Sequence, residues 1–152
     1  MRILTKYKVL SRHETYDPYT TACIEIEMPF GPLTVYGSII GVFGNRPPRF
    51  DNDLYGHLSD FEKIFPGRQV CLIGDLNVTF SGQSWPSQKA RQTLLEAFEK
   101  FGLTNTTASI VGAVDHIVLS YDLVKNKPLN VKTWNTDKKL SDHEGFLLTL
   151  AY

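Results

Sequence analysis

The stretch Val70-Cys71-Leu72-Ile73-Gly74-Asp75-Leu76-Asn77-Val78-Thr79-Phe80 sets the frame for the rest of the chain. Four apolar residues run without alternation before Gly74 interrupts them. A short unbroken apolar run bounded by glycine reads as a strand buried on both faces. Asp75 and Asn77 stand just past its end. Residues two apart on an extended chain point the same way, so a carboxylate and a carboxamide are expected to project together from the sheet rim. Strand ends are where open α/β sheets hold their ligands. Gly, Asp and Asn are also ordinary turn formers, and taken alone the stretch reads more readily as a strand followed by a polar turn.

Two later stretches change that balance. Asp115-His116-Ile117 opens the apolar run Ile117-Val118-Leu119, and Ser141-Asp142-His143 comes just before Phe146-Leu147-Leu148-Thr149-Leu150. Three polar clusters therefore abut three expected core strands, and between them they supply three Asp, one Asn and two His. In this order they resemble the endonuclease/exonuclease/phosphatase superfamily. Its members include apurinic-site endonucleases, pancreatic deoxyribonuclease, sphingomyelinases and inositol-polyphosphate phosphatases. Gly74 to Asn77 matches the family's Gly-Asp-Phe/Leu-Asn motif, Asp115 to Ile117 its Asp-His-Ile or Asp-Tyr element, and Ser141 to His143 its terminal Ser-Asp-His. Gly-Pro-Leu-Thr-Val-Tyr-Gly, from Gly31 to Gly37, is the kind of hairpin the family carries at this position. The resemblance covers most of residues 1–152, read as the C-terminal half of the usual domain.

The resemblance implies a metal-dependent phosphodiester hydrolase, nuclease-like, with Mg²⁺ or Mn²⁺ as cofactor. Such chemistry needs an activated water, neutralised phosphoryl oxygens and help for the departing oxygen. By the same resemblance His143 is the general base, or holds the attacking water. Asp115 orients and polarises it, as carboxylates do in other dyads. Asp75 positions the water or reaches the metal, Asn77 donates to a non-bridging phosphate oxygen, and Asp142 binds metal directly or through water. The family's early Asn and its metal-binding Glu have no counterpart here; Glu14, Glu25 and Glu27 are the early carboxylates that could stand in. Where nuclease-like members carry Thr-His-Leu, this chain has Gly37-Ser38-Ile39-Ile40-Gly41, so the leaving-group helper is not visible. Asn45 and Arg46 are candidates for phosphate contact, the Arg by charge and geometry, although a loop Arg is more often simply solvated; Arg12 and Arg91 are weaker ones. Residue by residue there are plainer readings. Asp115 can be an ordinary residue at a strand start, and His116 reads as a satisfied core or rim histidine. Asp142 and His143 can form a solvated turn with Glu144 and Gly145. His13 and His57 read as surface residues. Two other functions remain open: a non-catalytic truncated half-domain that dimerises, and a small-molecule phosphatase.

A chain of 152 residues suits one domain with a moderate core. Lys plus Arg (16) equals Asp plus Glu (16), so no global basic field announces nucleic acid. A phosphate-ester substrate, nucleic acid among them, then depends on local groups. Cys23 and Cys71 make no disulfide framework and are expected as buried thiols in a reducing cytoplasm. No apolar stretch is long enough to span a bilayer, and the start lacks the apolar segment of a signal peptide.

Taken in order, Ile3-Leu4 is expected in a short strand and Ser11 to Pro18 as a loop. Cys23 to Met28 alternates as a half-buried edge strand, and Pro29 to Pro32 turns it into a hairpin partner from Leu33 to Ile40. Asp51 to Phe65 carries Leu54, Leu58, Phe61 and Phe65 at helical spacing, with Asp51 or Asn52 as cap. Ser87 is the candidate cap of a second helix through Phe101, with Leu94, Leu95, Phe98 and Phe101 as its stripe and Gly102 as its stop. Asp115 to Ser120, a strand near Val131 to Trp134, and Phe146 to Tyr152 are expected to complete the sheet. The fold class is α/β, a mixed sheet with helices on one face. By resemblance it is half of a four-layer αββα sandwich, whose second sheet comes from a dimer partner or a missing N-terminal half. The uncovered sheet face would be an apolar interface, and a homodimer through it is expected.

Overall fold

A computed structural model describes residues 1–42 and 49–150. Asn45 and Arg46 lie outside the described residues, as do the last two positions of the strand expected to reach Tyr152.

Six strands form one mixed sheet. In chain order they are β1 (Val9–His13), β2 (Thr21–Met28), β3 (Gly31–Ile39), β4 (Val70–Asp75), β5 (Leu103–Asn105) and β6 (Asp115–Ser120). Their spatial order is β1-β2-β3-β4-β6-β5. Among the described residues only β3 and β4 pair in parallel; every other neighbour pair of this sheet is antiparallel. A parallel neighbour cannot be reached by a tight turn, and helix α1 (Arg49–Ile64) is the crossover that makes the pairing reachable. Helix α2 (Gln88–Lys100) follows β4, and the single-turn helix α3 (Tyr121–Val124) follows β6.

Alternation along the strands sorts side chains to two faces. Tyr36, Leu72 and Val118 point to one face and pack with Leu54 and Phe61 of α1 and Leu94 and Phe98 of α2. Ile24, Ile26, Val35 and Leu119 point to the other. The two long helices therefore cover one face, as the binary pattern of the sequence predicts. Ser87 caps α2 as expected, its side chain accepting from the Ala90 N–H at 3.1 Å.

The second face is where the structure departs from the expectation. The strands β7 (Leu129–Trp134) and β8 (Gly145–Leu150) do not complete the large sheet. They pair with each other alone, antiparallel, as a separate two-stranded sheet. The cause lies just upstream: Leu123 and Val124 of α3 dock on the second face, so the chain leaves β6 across that face instead of beside it. Leu148 and Leu150 then pack down on the same cluster, whereas Leu147, just before them, is 56% exposed. An open apolar groove of about 710 Å³ remains between the two layers, lined by Phe30, Cys71, Ile73, Ile117, Leu148 and Leu150 among others.

Smaller corrections share one cause, tertiary pairing overriding local pattern. The first strand is Val9–His13, running into the Ser11 to Pro18 stretch that reads as a loop, and not Ile3-Leu4, whose Leu4 is almost fully exposed. Its pairing with Cys23, Ile24 and Glu25 moves β2 off the sheet edge. Helix α1 starts at Arg49, before Asp51 and Asn52, so neither caps it. Leu95 falls off the buried stripe of α2 and is exposed. His57 is not a surface residue: it is fully buried, with Nδ1 2.8 Å from the Asp53 carbonyl. Both cysteines are free, and burial pushes each thiol up to about 12.

Candidate active site at the end of the central strand

Asp75 is the last residue of β4, and its register partner on β6 is Asp115. Directly paired residues share a sheet face with Cβ atoms about 5 Å apart. Both carboxylates follow the parity of Ile73 and Ile117, so they stand on the second face, at its rim. His116 has the opposite parity and points under the sheet. There it is buried, Nε2 donating to the Val78 carbonyl at 2.9 Å. Its Nδ1 meets the Asn105 amide nitrogen at 3.2 Å and the Thr107 hydroxyl at 2.9 Å. The amide donates, so Nδ1 accepts and the proton sits on Nε2. Burial pushes its pKa down, against the Val78 hydrogen bond. It is the satisfied core histidine that the sequence suggests.

Gly74 makes the tight strand end possible. Its φ is +135°, and a Cβ there would meet the Ser38 carbonyl oxygen of β3 at 2.0 Å. No side chain fits that approach.

Asn77 reaches Asp75, but by a different geometry from the extended one expected. Its φ is +48°, a left-handed conformation that Asn tolerates. The Asn77 N–H donates to Asp75 Oδ1 at 2.8 Å, and its Nδ2 donates to Asp75 Oδ2 at 3.0 Å and to the Ile40 carbonyl at 2.8 Å. Asn77 thus clasps both carboxylate oxygens of Asp75 and ties them to the end of β3.

His143 arrives from the other layer, in the connection between β7 and β8. Its Nδ1 lies 2.6 Å from Asp115 Oδ2. With Asp115 ionised, Nδ1 carries the proton and Nε2 is left free to accept one. That hydrogen bond raises the His143 pKa, against a smaller lowering by burial, and the charges of Asp115, Asp75 and Asp142 add to the rise. Asp75 is pushed up to about 6, chiefly by burial. The Asn77 hydrogen bonds oppose that shift, and the neighbouring Asp115 charge reinforces it.

Ligand atoms of Asp75, Asp115 and His143 all lie within 4.8 Å of one another. Two facing carboxylates, one with its ionisation penalised by burial and by the other, are a donor set that suits a hard divalent cation. Among the described residues no Glu joins this group. Glu25 is registered with Thr34, itself opposite Val70; that puts it two strands across and five residues down the sheet from Asp75, roughly 16 Å along the strand direction alone. Glu27 is further still. Glu14 follows β1, three strands from β4. None of the three replaces the family's Glu.

Asp142 is also outside the convergent group. It is exposed, its Oδ1 accepting from the Ser141 hydroxyl at 3.3 Å. It does line a small polar cavity of about 190 Å³ together with Asp115, His143, Lys138 and Glu144. Arg91 is committed to the loop after Asn77, Nε donating to the Thr79 carbonyl at 2.5 Å and the guanidinium also reaching the Thr79 hydroxyl at 3.0 Å. Arg12 stands on the edge strand β1. Two residues outside the sequence motifs also belong here: Lys138 lines the cavity, and Asn135 Nδ2 donates to the His143 carbonyl at 2.6 Å. The signal for Asn135 was its place at the head of the polar turn Asn135-Thr136-Asp137-Lys138.

No family model and no curated protein matches the sequence. Solved structures do match the fold. The endonuclease domain of TRAS1, a telomere-specific non-LTR retrotransposon, is similar with a TM-score of 0.69 at 15% identity, over 95% of this chain and 67% of that one. An endonuclease/exonuclease/phosphatase family protein from Leptotrichia buccalis is similar at TM-score 0.63 and 16% identity, over 97% of this chain and 64% of that one. An endonuclease/exonuclease/phosphatase from Beutenbergia cavernae matches at TM-score 0.60 and 14% identity, over 86% of this chain and 38% of that one. This chain therefore spans between 38% and 67% of the length of these structures. Over that span it has the fold of the endonuclease/exonuclease/phosphatase proteins.

Proposed function

We propose that this chain carries the hydrolytic centre of a metal-dependent phosphodiesterase of the nuclease kind. The observation that supports the reading best is the meeting of three polar clusters far apart in sequence. Ligand atoms of Asp75 and Asp115 on the large sheet and of His143 in the connection between β7 and β8 come within 4.8 Å of one another. Structural packing alone does not require that meeting at a sheet rim.

In this reading His143 Nε2 takes a proton from water while Nδ1–H stays on Asp115. The water oxygen forms a bond to phosphorus, and the ester P–O bond opposite it breaks, the departing oxygen keeping the electron pair and taking a proton from solvent. Asp115 stabilises the imidazolium so formed. Asp75 orients the water, held by the Asn77 clasp. A phosphoryl oxygen at the site would compete for the Asn77 amide protons that Asp75 and Ile40 now hold. Asp75 and Asp115 are the residues that would hold Mg²⁺ or Mn²⁺, with Asp142 acting through water. When bound, the ion supplies charge neutralisation on the phosphoryl oxygens. Arg46, by its charge, and Asn45 beside it remain candidates for phosphate contact.

The test is hydrolysis of plasmid DNA and of a chromogenic phosphodiester with either cation. We expect turnover that chelation abolishes and that His143→Ala lowers at least 100-fold, the usual scale for a general base. Turnover untouched by His143→Ala would overturn the reading.

A further inference from the structure

We propose that Asn135 is a positioning residue that fixes His143 over Asp115. The inference rests on His143 being the base. His143 ends the connection between β7 and β8, most of which is exposed. An imidazole on such a segment holds one orientation only if its backbone is tied down. Asp115 fixes the ring; something else must fix the main chain.

The Asn135 carboxamide meets that need with all its main polar capacity. Nδ2 donates to the Ser141 carbonyl at 2.9 Å and to the His143 carbonyl at 2.6 Å. Oδ1 accepts from the Leu140 N–H at 2.9 Å. One side chain thus closes the turn at three points around Asp142. The turn is closed a second time by the Lys138 N–H donating to the Asn135 carbonyl at 3.0 Å. Asn135 itself has φ +57°, which Asn adopts more readily than residues with larger side chains. Trp134, the residue before it, lies directly over Gly145, where a Cβ would meet the indole at 2.0 Å. The base of the turn is therefore closed by packing, and its tip by Asn135. Catalytic geometry is unforgiving at this scale: a shift of about 1 Å can cost on the order of 100-fold in rate.

The experiment compares Asn135→Gly, Asn135→Asp and Asn126→Gly in the full chain, on the chromogenic phosphodiester. Glycine accepts the positive φ, so Asn135→Gly removes hydrogen bonds without adding strain. Asn135→Asp keeps the acceptor for Leu140 and loses both donors. Asn126, also at positive φ (+58°) but outside the turn, controls for the backbone effect of the same change. We expect kcat to fall about 10- to 100-fold in both Asn135 variants with KM within twofold, and no change in Asn126→Gly. The ring-nitrogen chemical shifts of His143 supply a readout independent of turnover. The Nδ1–H tautomer should dominate in the parent chain and give way to Nε2–H in Asn135→Gly. Parent kcat and an unchanged tautomer in both Asn135 variants, with His143→Ala inactive, would overturn this inference and spare the reading beneath it. Activity that survives His143→Ala overturns both.

Discussion

Asp115 decides what His143 can do at a given pH. In the proposed reaction His143 works as a base in its neutral form, so kcat/KM should rise with pH through the His143 pKa. The Asp115 hydrogen bond raises that pKa above its ordinary value near 6.5. In Asp115→Asn the carboxylate is gone, so the ascending limb should move to lower pH, toward the ordinary value. Turnover on the plateau should fall at the same time, because the ring loses its fixed tautomer; a loss of about 10³-fold or more is the expected scale. A pH–rate profile of both proteins checks this, and a limb that stays in place would mean Asp115 is not coupled to the working histidine. At this scale the sequence was informative about identities and less so about geometry. Strand parity is local, and it aims Asp75 and Asp115 at one face; His143 reaches them through the β7–β8 layer, so only its Ser-Asp-His letters, and not its route, were legible. The clasp of Asn77 on Asp75 was not legible, since a left-handed residue breaks the alternation from which side-chain direction is read.

Elements with strong local signals were the readable ones. The apolar run of β4 and the Ser87 cap of α2 each carry their own cause in the sequence. β1 carries none: its residues alternate weakly, and the strand exists because β2 offers a partner edge. The β7–β8 pair was misplaced because an apolar strand looks the same whether it extends a sheet or lies across one. Two glycines offer a sharp check of the element-level argument. Gly67 and Gly74 both have positive φ, +73° and +135°. Only Gly74 has backbone in the way; nothing lies within 4 Å of a Cβ at Gly67. Gly67→Ala should therefore cost about 1–2 kcal/mol, the left-handed penalty alone. Gly74→Ala should cost more than about 4 kcal/mol, a large share of the roughly 5–15 kcal/mol that holds an ordinary domain together. Denaturant melts of the two variants decide it. Similar losses in both would mean that β3 and β4 can separate at the site with little penalty.

At the scale of the whole molecule, the second face is half finished. The β7–β8 pair and α3 cover part of it, and the groove of about 710 Å³ beside them is lined almost wholly by apolar side chains. Buried apolar area is worth roughly 25 cal/mol per Å², so leaving such a surface in water forgoes several kcal/mol once an area of a few hundred Å² is involved. β8 adds a strand with β7 on one side only, and an unpaired strand edge beside an apolar groove invites another strand. The similar solved structures are all longer than this chain, so their folds contain material with no counterpart here. These facts together make a second sheet over the groove the expected completion, supplied by another copy or by further residues of a longer protein. For residues 1–152 alone the expectation is self-association at micromolar concentration, or strong binding of a dye specific for apolar surface. Leu147, 56% exposed on β8 and lining the groove, is the place to perturb it without disturbing the core. Leu147→Lys should weaken a dimer at least tenfold in sedimentation or light-scattering measurements while leaving the melting temperature of the dissociated chain within a few degrees. A parent chain that is monodisperse and monomeric and binds no such dye would mean that the two layers, as they stand, already bury enough.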